Sequence, residues 1–74
     1  MDAVFVDVRT QEEYDAGHIE GALHMPYTNI HSMAKKYMPD KKQPVVLFCS
    51  TGKRSSQAAK SLIYLGYQKV FRIR

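Results

Sequence analysis

Cys49 is the only cysteine among 74 residues, and its neighbours give it a chemical setting. It follows directly on the apolar run at residues 44–48 (PVVLF) and precedes the polar stretch Ser50-Thr51-Gly52-Lys53-Arg54-Ser55. A loop of this kind, leading from a strand into a helix, can turn successive backbone N–H groups inward as an anion-binding nest. The helix N-terminus adds its own partial positive charge. Gly52 can take backbone angles that bulkier residues resist, and Lys53 and Arg54 bring two cations to the same loop. Cations, aimed amides and a helix terminus all favour a thiolate, and reactive cysteines so placed have pKa values of roughly 3.5–7.5. Taken alone, a lone cysteine at the end of a core strand reads as buried and inert. The basic, glycine-bearing loop turns the reading toward a nucleophile.

Asp7 and Arg9 form a second cluster. Two residues apart, they project to the same side if strand geometry continues through them. A bare carboxylate near Cys49 would oppose thiolate formation, so Arg9 is expected to neutralise it. His18, His24 and His31 lie six and seven residues apart, without the spacing that puts two ligands on one helical face, so no metal site is expected. His24 and His31 read as surface residues, and Tyr27, Tyr37, Tyr64 and Tyr67 as side chains at the edge of the core.

The elements that must position these groups alternate along the chain. Residues 3–8 (AVFVDV) are nearly all apolar and β-branched, which predicts a strand buried on both faces. Thr10 with Glu13 three residues on is a capping box that opens a short helix through Tyr14, stopped by Gly17. A weaker strand is expected at 22–25, ended by Pro26. Ile30, Met33, Ala34, Tyr37 and Met38 form an apolar helical stripe that Pro39 ends. Residues 44–48 read as a central strand, and Ser55 as the N-cap of a helix that buries Ala58, Ala59, Leu62, Ile63 and Leu65 and stops at Gly66. Residues 69–74 alternate, Val70, Arg72 and Arg74 against Phe71 and Ile73, as a strand exposed on one side does. The order strand, helix, strand, helix, strand, helix, strand predicts an α/β fold with a parallel sheet of about four strands flanked by helices.

Composition narrows the function. A chain this short buries only about 60% of the surface its unfolded form exposes. One cysteine allows neither an internal disulfide nor a four-cysteine zinc site. The apolar share of 45% and charged share of 24% are those of ordinary globular domains, which argues against disorder. No apolar stretch approaches the ~20 residues of a membrane crossing, and the N-terminus lacks a secretory pattern. The expected location is therefore cytoplasmic, or periplasmic if a signal has been removed. The net charge of +4 suits anionic partners, yet Lys35-Lys36 and Lys41-Lys42 lack the interleaved aromatics of a nucleic-acid groove, so no nucleic-acid partner is expected.

Three stretches, in order and spacing, resemble the rhodanese-like sulfurtransferases, small single-domain members of the phage-shock type among them. They are Asp7-Val8-Arg9 with Glu12-Glu13-Tyr14, then Gly17-His18-Ile19-Glu20-Gly21-Ala22 with Pro26, then residues 47–55 with Leu65-Gly66-Tyr67. The resemblance implies a minimal rhodanese-like fold. It implies an enzyme that moves a sulfane sulfur from thiosulfate, or another persulfide donor, through a Cys49 persulfide to cyanide, a thiol or a protein acceptor. It makes Cys49 catalytic and gives Ser50, Thr51, Gly52, Lys53, Arg54 and Ser55 to substrate binding, with Lys53 and Arg54 attracting the dianionic donor. Asp7 and Arg9 become an internal ion pair bracing the active-site side of the sheet, and His18 a hydrogen bonder in the Gly-His-Ile turn. No metal or organic cofactor is implied.

Two other readings compete. Cysteine phosphatases place five residues between the cysteine and an arginine; here that position is Ser55, and Arg54 comes one place early. A noncatalytic rhodanese-like module that carries sulfur or binds a partner protein is the other. Family members also commonly carry a strand and helix before the first strand, and a Gly-Gly loop and helix after the last. The reading takes residues 1–74 as one domain lacking these, a natural minimal form in which the last strand is a sheet edge guarded by its charges.

Overall fold

The computed structural model describes residues 2–49 and 52–73. Its elements are β1 (Val4–Asp7), α1 (Gln11–Ala16), β2 (Leu23–His24), α2 (Ile30–Tyr37), β3 (Val45–Phe48), α3 (Lys53–Tyr64) and β4 (Val70–Ile73). The strands form one parallel sheet in the order β2-β1-β3-β4, as the alternation of apolar runs and helical stripes predicts. The chain steps outward from β1 to β2 and then crosses back to β3. The order therefore reverses between β1 and β3, and in open parallel sheets ligands bind beyond the carboxyl ends of the strands at such a reversal.

Register decides which side chains share a face. Val4 lies opposite Val45, Val6 opposite Leu47 and Leu23, and Val45 opposite Val70, so these residues line one face. That face packs on Ile30, Ala34 and Met38 of the α2 segment and on Ala58, Ala59 and Leu62 of α3, with Val8, Met25, Cys49 and Tyr67 completing the core. Burying each large member, such as Leu47, Ile30 or Leu62, contributes about 1.5–3 kcal/mol. The other face carries Phe5, Val46, Phe48, Phe71 and Ile73, of which Phe5 is 42% and Phe71 55% exposed. The expectation that the first strand is buried on both faces is thus corrected. Both long helices lie on the Val6 face, so the β-branched run predicts a strand without saying how many of its faces are covered. In β4 it is Val70 that packs against the core, while Phe71 and Ile73 stay open. β4 is the sheet edge expected; Arg74 lies outside the described residues.

The helix ends follow from local chemistry. The Thr10 hydroxyl accepts from the Glu13 amide while the Glu13 carboxylate accepts from the Thr10 amide, so the capping box forms as the spacing predicts. At the far end of α3, Gly66 takes φ +102°, its N–H donates to the Ile63 carbonyl and that of Tyr67 to the Leu62 carbonyl. This is a Schellman ending, and it folds Tyr67 back beneath the helix beside Leu62. Ile63, expected inside, is 60% exposed, and Tyr64, expected at the core edge, is 86% exposed, because Ala58, Ala59 and Leu62 take the inward face. Tyr37 is likewise half exposed at the end of α2.

Tyr67 closes the core. Its ring is buried, Lys41 Nζ stands 4.2 Å from the ring centroid, and its hydroxyl serves the carbonyls of Ala34, at 3.0 Å, and Met38. The Ala34 carbonyl already takes the Met38 amide at 2.8 Å and gains the phenol as a second donor, while Met38 is the C-cap of α2, where helical N–H donors run out. Burial also pushes the Tyr67 phenol above its ordinary pKa of 10.0. Tyr67→Phe removes the hydroxyl and keeps the ring, so it should cost about 1–2 kcal/mol in urea unfolding with the m-value unchanged. An unaltered midpoint would show that these carbonyls are satisfied without it.

Candidate active site

The end of β3 and the residues after β1 meet because the two strands are paired in parallel. Asp7 lies opposite Phe48, and the Val8 amide donates to the Phe48 carbonyl at 3.2 Å. Cys49, the next residue, therefore sits at the carboxyl end of β3 beside the start of the segment after β1. It is fully buried and belongs to the core cluster. α3 begins four residues later.

Asp7 and Arg9 form the expected ion pair. Arg9 Nε lies 3.0 Å from both carboxylate oxygens, Nη2 lies 2.8 Å from Oδ2, and the Arg9 amide donates to Oδ1 at 3.0 Å. These bonds satisfy a carboxylate that is wholly out of water, which only paired and hydrogen-bonded charges can afford. The bonds to Asp7 raise the Arg9 pKa above its ordinary value. Arg9 Nη2 also donates to the Gly17 carbonyl at 2.6 Å, and its guanidinium stands 5.3 Å from the centre of the Phe48 ring. One side chain thus ties together β1, the turn after α1, and the residue before Cys49.

The turn after α1 is built on aromatic stacking. Tyr14 lies between the rings of His18 and His24, at centroid distances of 3.8 and 4.4 Å, and its hydroxyl donates to the Ala22 carbonyl. His18 Nδ1 is 2.9 Å from the Tyr14 carbonyl, so His18 braces the turn as expected. His24 is not the surface residue expected. It is half-buried, and its Nε2 donates to the Arg9 carbonyl at 2.8 Å, which holds the segment after β1 in place. Among the described residues no group of three or more His, Cys, Asp or Glu could hold a metal.

Residues 50–55 divide differently from the expected loop. Ser50 and Thr51 lie outside the described residues. Gly52, at φ +84°, is the N-cap, a left-handed conformation that favours glycine. Lys53 and Arg54 are the first two residues of α3, and Ser55 lies within the helix instead of capping it. The Ser55 hydroxyl is buried at the third helical position and donates back to the Gly52 carbonyl at 3.0 Å, whereas a capping oxygen sits ahead of the first turn and accepts from its amides. Two cations in a first turn oppose the helix dipole, an arrangement that suits an anion held there. A cleft of about 780 Å³ opens beside it, with Gly52, Lys53 and Ser56 on one wall and Phe71 and Arg72 of β4 on the other.

Arg54 has an anion of its own. Its terminal nitrogens meet the two carboxylate oxygens of Glu13, Nη1 against Oε1 and Nη2 at 3.3 Å from Oε2. Oε1 also takes the Thr10 amide at 3.1 Å and hydroxyl at 3.0 Å, so Glu13 closes the α1 cap and the fork of Arg54 at once. Read from sequence, Glu13 is only a capping residue. The same box fixes it in the first turn of a helix that starts just beyond β1, at the end of the sheet where Cys49 sits, and that placement was the available signal. Cys49 lies close enough to Arg9 and Arg54 that a charge on its sulfur would raise the pKa of both.

The hydrogen bond from Arg54, with those from Thr10, holds the Glu13 carboxyl at about 2, well below its ordinary 4.5. A carboxylate with a depressed pKa stabilises the fold above the unfolded value and loses that contribution as pH falls through the folded one. Wild type should therefore lose stability faster than Glu13→Gln as pH drops from about 4.5 to about 2, and the two should run parallel above that window. Parallel curves throughout would contradict the pairing. Arg9→Met leaves Asp7 buried without its partner and should cost about 3–5 kcal/mol, enough to abolish cooperative unfolding in a chain this small. A cooperative, near-native melt would contradict the bracing role.

The family model for the rhodanese-like domain matches residues 1–74. Thiosulfate sulfurtransferase PspE of Escherichia coli is 33% identical over 89% of this chain, and thiosulfate sulfurtransferase GlpE of Coxiella burnetii 34% identical over 95%. In both cases the chain spans 64% of the relative's length. Among solved structures, a rhodanese with anions from E. coli superposes with a TM-score of 0.91 at 31% identity, covering 96% of this chain and 84% of that one. The human single-domain sulfurtransferase TSTD1 gives 0.83 at 33% identity, covering 95% and 73%. Sequence match and superposition agree, and on these grounds the chain belongs to the rhodanese-like domain family.

Proposed function

We propose that the protein is a sulfurtransferase whose Cys49 carries a sulfane sulfur between a donor and an acceptor. The observation that carries this reading is the position of Cys49. It stands at the carboxyl end of β3, beside the point where strand order reverses, just ahead of a helix whose first turn holds two cations. The names of the relatives support the same chemistry.

In the proposed cycle the Cys49 thiolate attacks the outer sulfur of thiosulfate. The new S–S bond forms as the old one breaks, and sulfite leaves with the electron pair. The terminal sulfur of the persulfide is then attacked by cyanide or a thiolate; thiocyanate or a new persulfide departs and the Cys49 thiolate returns. Both steps are nucleophilic displacements at sulfur, and negative charge moves through the site in each. The backbone from Ser50 to Ser55 is proposed to receive that charge, with Lys53 and Arg54 drawing the anionic donor in. Asp7, Arg9 and His18 support the site and take no part in bond making. With no second cysteine in the chain, discharge falls to an outside acceptor.

Thiosulfate treatment should add about 32 Da, one sulfur atom, to the intact protein. Cyanide should remove it as thiocyanate, and Cys49→Ser should neither gain the mass nor form product. Mass gain without thiocyanate would reduce the protein to a sulfur carrier. Mass gain by Cys49→Ser, or none by wild type with thiosulfate or any other persulfide donor, would overturn the reading.

A further inference from the structure

Both guanidinium groups near Cys49 are engaged by carboxylates. Arg9 is held by Asp7, which is wholly buried, tied by several hydrogen bonds and fixed within the sheet. Arg54 is held by Glu13, whose side chain is one-third exposed at the rim. Each pair sums to no net charge. An incoming anion therefore meets an Arg54 fork already filled by a carboxylate, and it meets that carboxylate's own charge as well.

We propose that Glu13 is the specificity-determining residue for the charge of the sulfur donor: by occupying the Arg54 fork it disfavours dianionic donors relative to singly charged ones. This rests on the sulfurtransferase reading and deepens it. A dianion needs more positive charge from the site than a monoanion and is repelled more strongly by a neighbouring carboxylate. Thiosulfate is a dianion. An aromatic thiosulfonate offers the same kind of sulfane sulfur on a leaving group with one charge fewer, so the two donors separate charge from sulfur chemistry. Glu13 is held in place by the Thr10 amide and hydroxyl, so its carboxylate stays at the fork instead of swinging away when a donor approaches.

Glu13→Gln isolates the charge. Glutamine still completes a capping box and still accepts from the Thr10 amide and from one arm of Arg54. The test compares wild type and Glu13→Gln in steady-state sulfur transfer to cyanide, with thiosulfate and with benzenethiosulfonate as donors. The expected result is a KM for thiosulfate about fivefold lower in the variant, of the size that one partly exposed carboxylate can exert. KM for benzenethiosulfonate should move about twofold or less, and kcat should hold for both donors. Should Glu13→Gln lose its cooperative melt, Glu13→Asp replaces it. That carboxylate is too short to fill the fork, and thiosulfate KM should again fall relative to benzenethiosulfonate. An unchanged ratio of the two KM values overturns the inference and leaves the sulfurtransferase reading standing. A rise in thiosulfate KM overturns it too, by making Glu13 a residue that only positions Arg54. Failure of wild type to take sulfur from either donor overturns both.

Discussion

The parallel pairing of β1 with β3, Asp7 opposite Phe48, is the constraint from which the site follows. It brings the segment after one strand beside the segment after the other. Arg9, two residues past the register position of Asp7, reaches back to that carboxylate and covers the Phe48 ring, and Cys49 emerges next to it. A shift of one residue in this register would put the inward faces of β1 and β3 out of phase, turning either Val6 or Leu47 out of the core. The apolar packing under α2 and α3 and the chemistry at the strand ends are fixed by the same alignment.

The electrostatic arrangement is costly by itself and tolerable as a set. A fully buried Asp7 needs Arg9, and Arg54 in the first turn of α3 is opposed by the helix dipole until Glu13 meets it. Glu13 can do so because Thr10 holds it at the start of α1. α1 buries no residue of its own, so its place in the fold owes more to these polar ties and to the Tyr14 stack than to hydrophobic packing. In a domain with so small a core, polar contacts of this kind carry part of the task of keeping two helix starts beside one cysteine.

Much of this was legible in the residues. The Thr10–Glu13 box, the Gly66 stop, the apolar run before Cys49 and the Asp7–Arg9 spacing each name a local structure whose energetics lie within a few residues, and each is present. What could not be read is what depends on the third dimension. The burial of Phe5 and Phe71 turns on which sheet face the helices cover, and periodicity is silent about that. The role of His24 depends on Tyr14 and Arg9, partners ten and fifteen residues away across a turn. Ser55 has the residue type of an N-cap, but the left-handed Gly52 starts the helix earlier and leaves the Ser55 hydroxyl inside. The Glu13–Arg54 pair joins residues 41 apart and becomes visible only when α1 and α3 begin at the same end of the sheet.

The central claim is that the strand-end cysteine is the atom that receives sulfur. Its most direct test is a crystal structure of the protein after exposure to thiosulfate. The account predicts an additional sulfur bonded to Cys49 Sγ and directed toward the first turn of α3, with the Asp7–Arg9 pair intact. An unmodified Sγ, with thiosulfate bound elsewhere on the molecule, would contradict it.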